Sequence, residues 1–277
     1  SLKNDRNHRL QTVDSFLQKL ENIGKITSSA PKSKPVDSNP VPVENTEELP
    51  EGKEHKLVLI GHTGAGKTVL VAGLYASQDK DFSVDDPGSK TETGIHAINV
   101  RSIMEDGHWP AATSIGDITD LKFKINYKGR RESIAFPEYA GERLNMEGFD
   151  KLILGKPDGA FILLNPGSEL LQRTHDRIEL LSKIKEYIQK LGTMEKKPPV
   201  ALVITASDRL ENDLKDFAPK FEKYVEELIL SLDTHIGADN YKRFNVSVSG
   251  RLEDQNKPKL EPKGIKDPFI WLIEQFD

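Results

Sequence analysis

The chain predicts an α/β fold, a three-layer sandwich whose mainly parallel sheet carries helices on both faces and one antiparallel edge strand. Three observations lead there. From residue 55 onward, short apolar runs alternate with longer amphipathic stretches, the pattern of strand–helix units that build a covered parallel sheet. Two strictly alternating runs flank the turn signal Lys128–Gly129, which predicts a hairpin. The first apolar run passes directly into a glycine-rich loop and then into a helical pattern.

Taken in order, Leu10, Val13, Leu17 and Leu20 form one apolar stripe on a helix over roughly residues 5–23, with Gly24 as its stop. Such a helix either packs on the main domain or reaches a protein partner or a second copy of the chain. Residues 28–54 lack apolar periodicity and contain Pro31, Pro35, Pro40, Pro42 and Pro50 among Lys, Ser, Asp and Glu. That composition predicts a disordered or extended linker. The expected organisation is therefore an N-terminal helix (1–27), a linker (28–54) and a main α/β domain (55–277) with a long insertion at about 78–118.

Within the domain, Lys56–Ile60 reads as a central strand and Lys67–Ser77 as a helix. Leu121–Tyr127 and Glu132–Phe136 are the hairpin strands. Gly159–Leu164 and Val200–Thr205 are buried runs suited to further parallel strands, and Phe244–Val248 is a last strand. Helical patterns cover about Leu170–Leu191 and Asn212–Leu232. The stretch Lys257–Lys266 reads as a solvated loop, after which Asp267 and Pro268 open a final helix as cap and first helical residue.

Composition narrows the function. The 39 basic and 44 acidic residues leave a net charge of −5, without the basic excess of a general nucleic-acid binder. The absence of cysteine excludes disulfides, thiolate metal sites and cysteine nucleophiles. No stretch approaches the ~18 apolar residues of a membrane span, and no secretory signal is visible, so a cytoplasmic protein is expected. The first residue is Ser1, and any targeting or anchoring segment before it would lie outside this sequence.

Gly61-His62-Thr63-Gly64-Ala65-Gly66-Lys67-Thr68 fits G-x-x-x-x-G-K-[ST], between a strand and a helix as the mechanism requires. Its backbone N–H groups would wrap phosphates and the helix N-terminus would add a positive dipole end. Lys67 would reach the β- and γ-phosphates, and Thr68 would ligate Mg²⁺. His62 is either a sensor of phosphate charge or a satisfied loop histidine. Glu138, followed by Gly141 and Glu142, places a carboxylate at a strand end with glycine three residues on. This suits a sensor of Mg²⁺ and γ-phosphate, or is a plain acidic turn.

This order of elements resembles the Ras-like, TRAFAC-type P-loop GTPases over roughly residues 55–277. Glu138 stands in the Asp position of their D-x-x-G motif, and Glu142 falls where many carry a water-orienting Gln. Thr205-Ala206-Ser207-Asp208 stands at N-K-x-D, so the resemblance makes Asp208 the guanine reader; Thr205 replaces Asn, and Ala206 replaces the Lys whose stem covers the base. Asp208 read alone could equally cap the following helix. Ser249–Gly250 stands at the family's S-A-K loop, which contacts guanine O6. The 78–118 insertion, with His108-Trp109-Pro110-Ala111-Ala112-Thr113, is similar to the bacterial double-GTPase type. Its switch threonine over Mg²⁺ would be Thr113, or alternatively Thr119. The resemblance implies a Mg²⁺-dependent switch that binds GTP and GDP and hydrolyses GTP slowly, with Lys67, Gly141 and Glu142 in the catalytic roles. A non-catalytic nucleotide-bound scaffold and a P-loop ATPase are the alternatives.

Overall fold

The computed structural model describes residues 53–85, 118–139, 155–249 and 260–276; the expected N-terminal helix, most of the linker and most of the insertion lie outside them. In chain order the elements are β1 (Glu54–Ile60), α1 (Lys67–Ala76), β2 (Phe82–Val84), β3 (Ile118–Tyr127), β4 (Arg130–Tyr139) and β5 (Gly159–Leu164). They continue with α2 (Glu169–Gln172), α3 (Thr174–Gly192), β6 (Val200–Ile204), α4 (Asp208–Glu211) and α5 (Ala218–His235). A 3₁₀ turn (Ala238–Asn240), β7 (Tyr241–Asn245), β8 (Ser247–Ser249), β9 (Leu260–Lys263) and α6 (Asp267–Gln275) complete them.

A seven-stranded sheet runs in the order β2-β3-β4-β1-β5-β6-β7. β1 is parallel to β4 and β5, and β5, β6 and β7 are parallel in turn. The predicted hairpin is β3–β4, joined by Lys128 (φ 49°) and Gly129 (φ 77°), the two left-handed residues that a tight hairpin turn needs. Beyond it the three-residue β2 pairs antiparallel with β3 and extends that edge.

Residues alternate across each strand, so β1 feeds two cores at once. Leu57 and Leu59 join Leu70 and Leu74 of α1 and Phe269, Leu272 and Ile273 of α6 on one face. Val58 and Ile60 join Ile184 and Ile188 of α3 and Phe221, Val225 and Leu228 of α5 on the other. Each such side chain taken wholly out of water contributes ~1.5–3 kcal/mol. Among the described residues, no helix is long and apolar enough to cross a membrane.

Several boundaries differ from the sequence reading. The helix expected over 170–191 is broken at Arg173, whose backbone is extended (φ −85°, ψ 126°). An unbroken helix would put Leu171 and Leu180, nine residues apart, ~180° from each other around the axis; the break lets both be buried. The helix expected from Asn212 starts instead at Ala218, with Pro219 in its first turn, where its missing N–H costs nothing. The last strand of the main sheet stops at Asn245, and β8 leaves to pair with β9, which forms within the stretch read as a solvated loop. Asp267 is the first residue of α6, not its cap.

Candidate functional site

Strands β1, β5 and β6 end side by side, with Leu59 opposite Phe161 and Ile162 opposite Leu202. Their following loops therefore meet on one edge, the place where open parallel sheets bind ligands. The loop after β1 is the glycine-rich segment. Gly64 (φ 77°) and Gly66 (φ 89°) are left-handed, and such residues turn successive N–H groups into an anion-binding concavity. Gly66 leads directly into α1, whose N-terminus adds its dipole. Lys67, only 6% exposed, folds back so that its ammonium donates to the carbonyls of Gly61 (2.8 Å) and His62 (3.1 Å). Thr68 follows in the first turn of α1, partly exposed.

Neighbouring loops hold this one from behind. Thr205, at the end of β6, is buried, and its hydroxyl lies 2.8 Å from the Ala65 carbonyl and 3.3 Å from that of Leu164. Its side chain is thus engaged with the loop, and any effect on a nucleotide runs through Ala65. Asn165, at the end of β5, donates through Nδ2 to the Gly64 carbonyl at 2.8 Å. His62 is buried and its Nδ1 lies 2.5 Å from the Thr63 carbonyl, so that nitrogen carries the proton; Ser168 Oγ is 3.4 Å away. Burial foremost, and the Lys67 charge after it, lower the His62 pKa from 6.5 to about 4 against the opposing pull of the Thr63 carbonyl. The ring is therefore neutral at pH 7, which favours a packed loop histidine over a charged one.

Asp208 is the first residue of α4 and follows Ala206, which is itself left-handed (φ 48°). Its Oδ1 is shut off from solvent and has no hydrogen-bond partner among the described residues, and no side-chain cap bond forms at the start of α4. The capping role weighed for Asp208 is thus not the one it has. Thr205 and Asp208 bracket one short turn: Thr205 holds the glycine-rich loop through Ala65, and Asp208 carries a buried oxygen with no partner among the described residues.

The remaining candidates are placed only in part. Glu138 is the penultimate residue of β4, opposite Thr119 on β3. Because β4 runs parallel to β1, with Ala135 beside Lys56, this strand end lies on the same edge as the glycine-rich loop. Ser249 ends β8, opposite Leu260. Thr113, Gly141, Glu142 and Gly250 lie outside the described residues.

The family model of Double-GTPase 2 matches residues 57–257. The chain belongs to the Double-GTPase 2 family. In this Double-GTPase 2 chain the match takes in the glycine-rich loop, Asp208 and Ser249. No curated protein matches it. Among solved structures it is similar to the Ski7 GTPase-like domain of S. cerevisiae, bound to GDP and inorganic phosphate. That pair is 14% identical with a TM-score of 0.48, over 80% of this chain and 50% of that one; this chain thus spans about half of that one. It is also similar to the Arl6 (BBS3) small GTPase of Trypanosoma brucei with the bound analogue GppNp. That pair is 16% identical with a TM-score of 0.41, over 80% and 97% of the two chains.

Asn165 and Ser168 were absent from the sequence reading. They sit about a hundred residues from the loop they hold, and no spacing rule spans that distance. The one available signal was the position of Asn165 directly after a buried strand, where a polar side chain has the loop edge within reach.

Proposed function

We propose that this Double-GTPase 2 chain binds guanine nucleotides and works as a slow GTP-hydrolysing switch. The observation that supports the reading is the glycine-rich loop, whose left-handed Gly64 and Gly66 lead into α1, on the edge where the turn after β6 that carries Asp208 also lies. Turned out toward a bound base, the Asp208 carboxylate would accept from guanine N1–H and N2–H, whereas adenine offers no such pair at those positions.

In the bound state Lys67 would exchange carbonyl contacts for the β- and γ-phosphate oxygens. Hydroxyl and carboxylate oxygens are the donors that a hard Mg²⁺ takes. Thr68 in the first turn of α1 and Glu138 on the same sheet edge would hold it, with Thr113 joining from the insertion. The ion would neutralise charge on the transferred phosphoryl group. Gly141 would read the γ-phosphate and Glu142 orient the attacking water. With a carboxylate in that place and no assigned arginine, positioning and charge stabilisation give low intrinsic turnover. Ser249 and Gly250 would complete the base site, and the insertion at 78–118 would order over the triphosphate.

Asp208→Asn tests the base assignment. The asparagine amide would donate to xanthine O2 while accepting from N1–H, so preference should move from GTP to xanthosine triphosphate. An unchanged GTP preference removes Asp208 as the reader. Single-turnover assays with Mg²⁺ then separate switch from scaffold: phosphate release no faster than from free GTP would favour the scaffold.

A further inference from the structure

The turn between β5 and α2 contacts both halves of the site. Asn165 Nδ2 donates to the Gly64 carbonyl at 2.8 Å, while its Oδ1 accepts from the Gly167 N–H at 2.9 Å. The second bond closes the turn and aims the amide, so the donor to Gly64 is held by its own loop. Ser168 adds the 3.4 Å approach to His62. On its other side the turn meets the segment of Asp208: a Cβ at Gly167 would overlap the Arg209 guanidinium, which is fastened to Asp213 Oδ2 by Nε at 3.0 Å and Nη2 at 2.6 Å.

These ties act on peptide planes. In a trans peptide the carbonyl and the next residue's N–H point in opposite directions. Asn165 holds the Gly64 carbonyl, and so sets the direction of the Ala65 N–H, which closes a turn onto the His62 carbonyl at 3.0 Å. Thr205 holds the following plane through the Ala65 carbonyl and turns the Gly66 N–H away from β6. That N–H meets no acceptor among the described residues. Two successive planes are thus set by side chains from neighbouring loops.

We propose that Asn165 is a positioning residue for the phosphate loop: its amide pre-sets the Gly64–Ala65 peptide, so that ligands carrying phosphate bind with less ordering still to be done. The inference rests on reading Gly61–Thr68 as a nucleotide phosphate site. Pre-ordering a loop raises affinity by removing the entropy lost on binding. Its effect is confined to ligands that use that loop.

The test is competition binding to the full chain, with GDP and with guanosine as ligands, for wild type, Asn165→Ala, Asn165→Gln and Lys67→Ala. Asn165→Ala should weaken GDP binding about tenfold, the scale of one lost hydrogen bond with its ordering, and change guanosine binding less than about twofold. Asn165→Gln keeps an amide donor and should recover part of the loss. Equal losses for GDP and guanosine would overturn the proposal, because they mean a general weakening of the site. Unchanged GDP binding in Asn165→Ala alongside lost binding in Lys67→Ala would overturn it while leaving the phosphate-loop reading intact. Unchanged GDP binding in Lys67→Ala would remove that reading and this inference with it.

Discussion

Thr205→Val removes one hydroxyl and almost no volume, so its cost reads the tie between β6 and the phosphate loop. The Leu164 carbonyl keeps a donor after the substitution, since the Thr205 backbone N–H also reaches it at 2.8 Å. The Ala65 carbonyl keeps none among the described residues, and Ala65 is wholly buried. An orphaned buried acceptor costs ~1–3 kcal/mol, partly offset by the ~0.8 kcal/mol gained on burying a methyl group. The net loss expected is ~1–2 kcal/mol. With a urea m-value near ~3 kcal/mol/M for a domain of this size, the denaturation midpoint should fall by ~0.5 M at unchanged slope. GDP affinity should fall by a few fold as well, because the peptide entering Gly66 is no longer held. A midpoint within ~0.1 M of wild type, together with unchanged GDP affinity, would refute the claim that Thr205 serves the loop.

Alanine at Gly66 should destabilise by more than alanine at Gly64. Both force a side chain into left-handed backbone at ~1–2 kcal/mol, but a Cβ at Gly66 also lies 3.3 Å from Thr205 Oγ1, whereas one at Gly64 meets nothing within 4 Å; the reverse order in urea melts would contradict this packing. For His62, the folded pKa of about 4 lies below the ordinary 6.5, so the unfolded chain binds the extra proton. Stability is full above pH 6.5 and is lost as pH falls from there to about 4, by up to ~3 kcal/mol. His62→Asn should flatten that window in urea titrations at pH 7, 6 and 5, and a wild-type curve already flat there would count against the buried neutral ring. Removal of residues 1–52, which precede β1, should leave GDP affinity within about twofold if the segment expected as an N-terminal helix serves a partner and not the nucleotide; loss of binding would give that segment a part in nucleotide binding.

The parts of this fold that were legible in the sequence are those encoded locally. The G-x-x-x-x-G-K-[ST] loop, the alternating β3–β4 pair and the buried runs of β5 and β6 each carry their signal within a few residues. The break at Arg173 did not show, because the apolar pattern runs on across it and only the depth of Leu171 demands a new direction. β2 is three residues long, too short for alternation to register. β9 sat inside a Lys- and Pro-rich stretch whose solvated character hid the strand that pairs with β8. In the candidate site, the glycine-rich turn into α1 was legible as residue types at fixed places along the chain. The supports from Asn165, Ser168 and the Thr205 hydroxyl were not, since they arise only when β1, β5 and β6 end side by side.

The central claim is that Asp208 turns a phosphate-binding loop into a guanine-nucleotide site. Competition binding of GTP, GDP and ATP to nucleotide-stripped protein with Mg²⁺ tests it most directly. GTP and GDP should both exceed ATP by at least about tenfold, since one bidentate base contact discriminates by ~1–3 kcal/mol. ATP binding as tightly as GTP, or more tightly, would contradict the account.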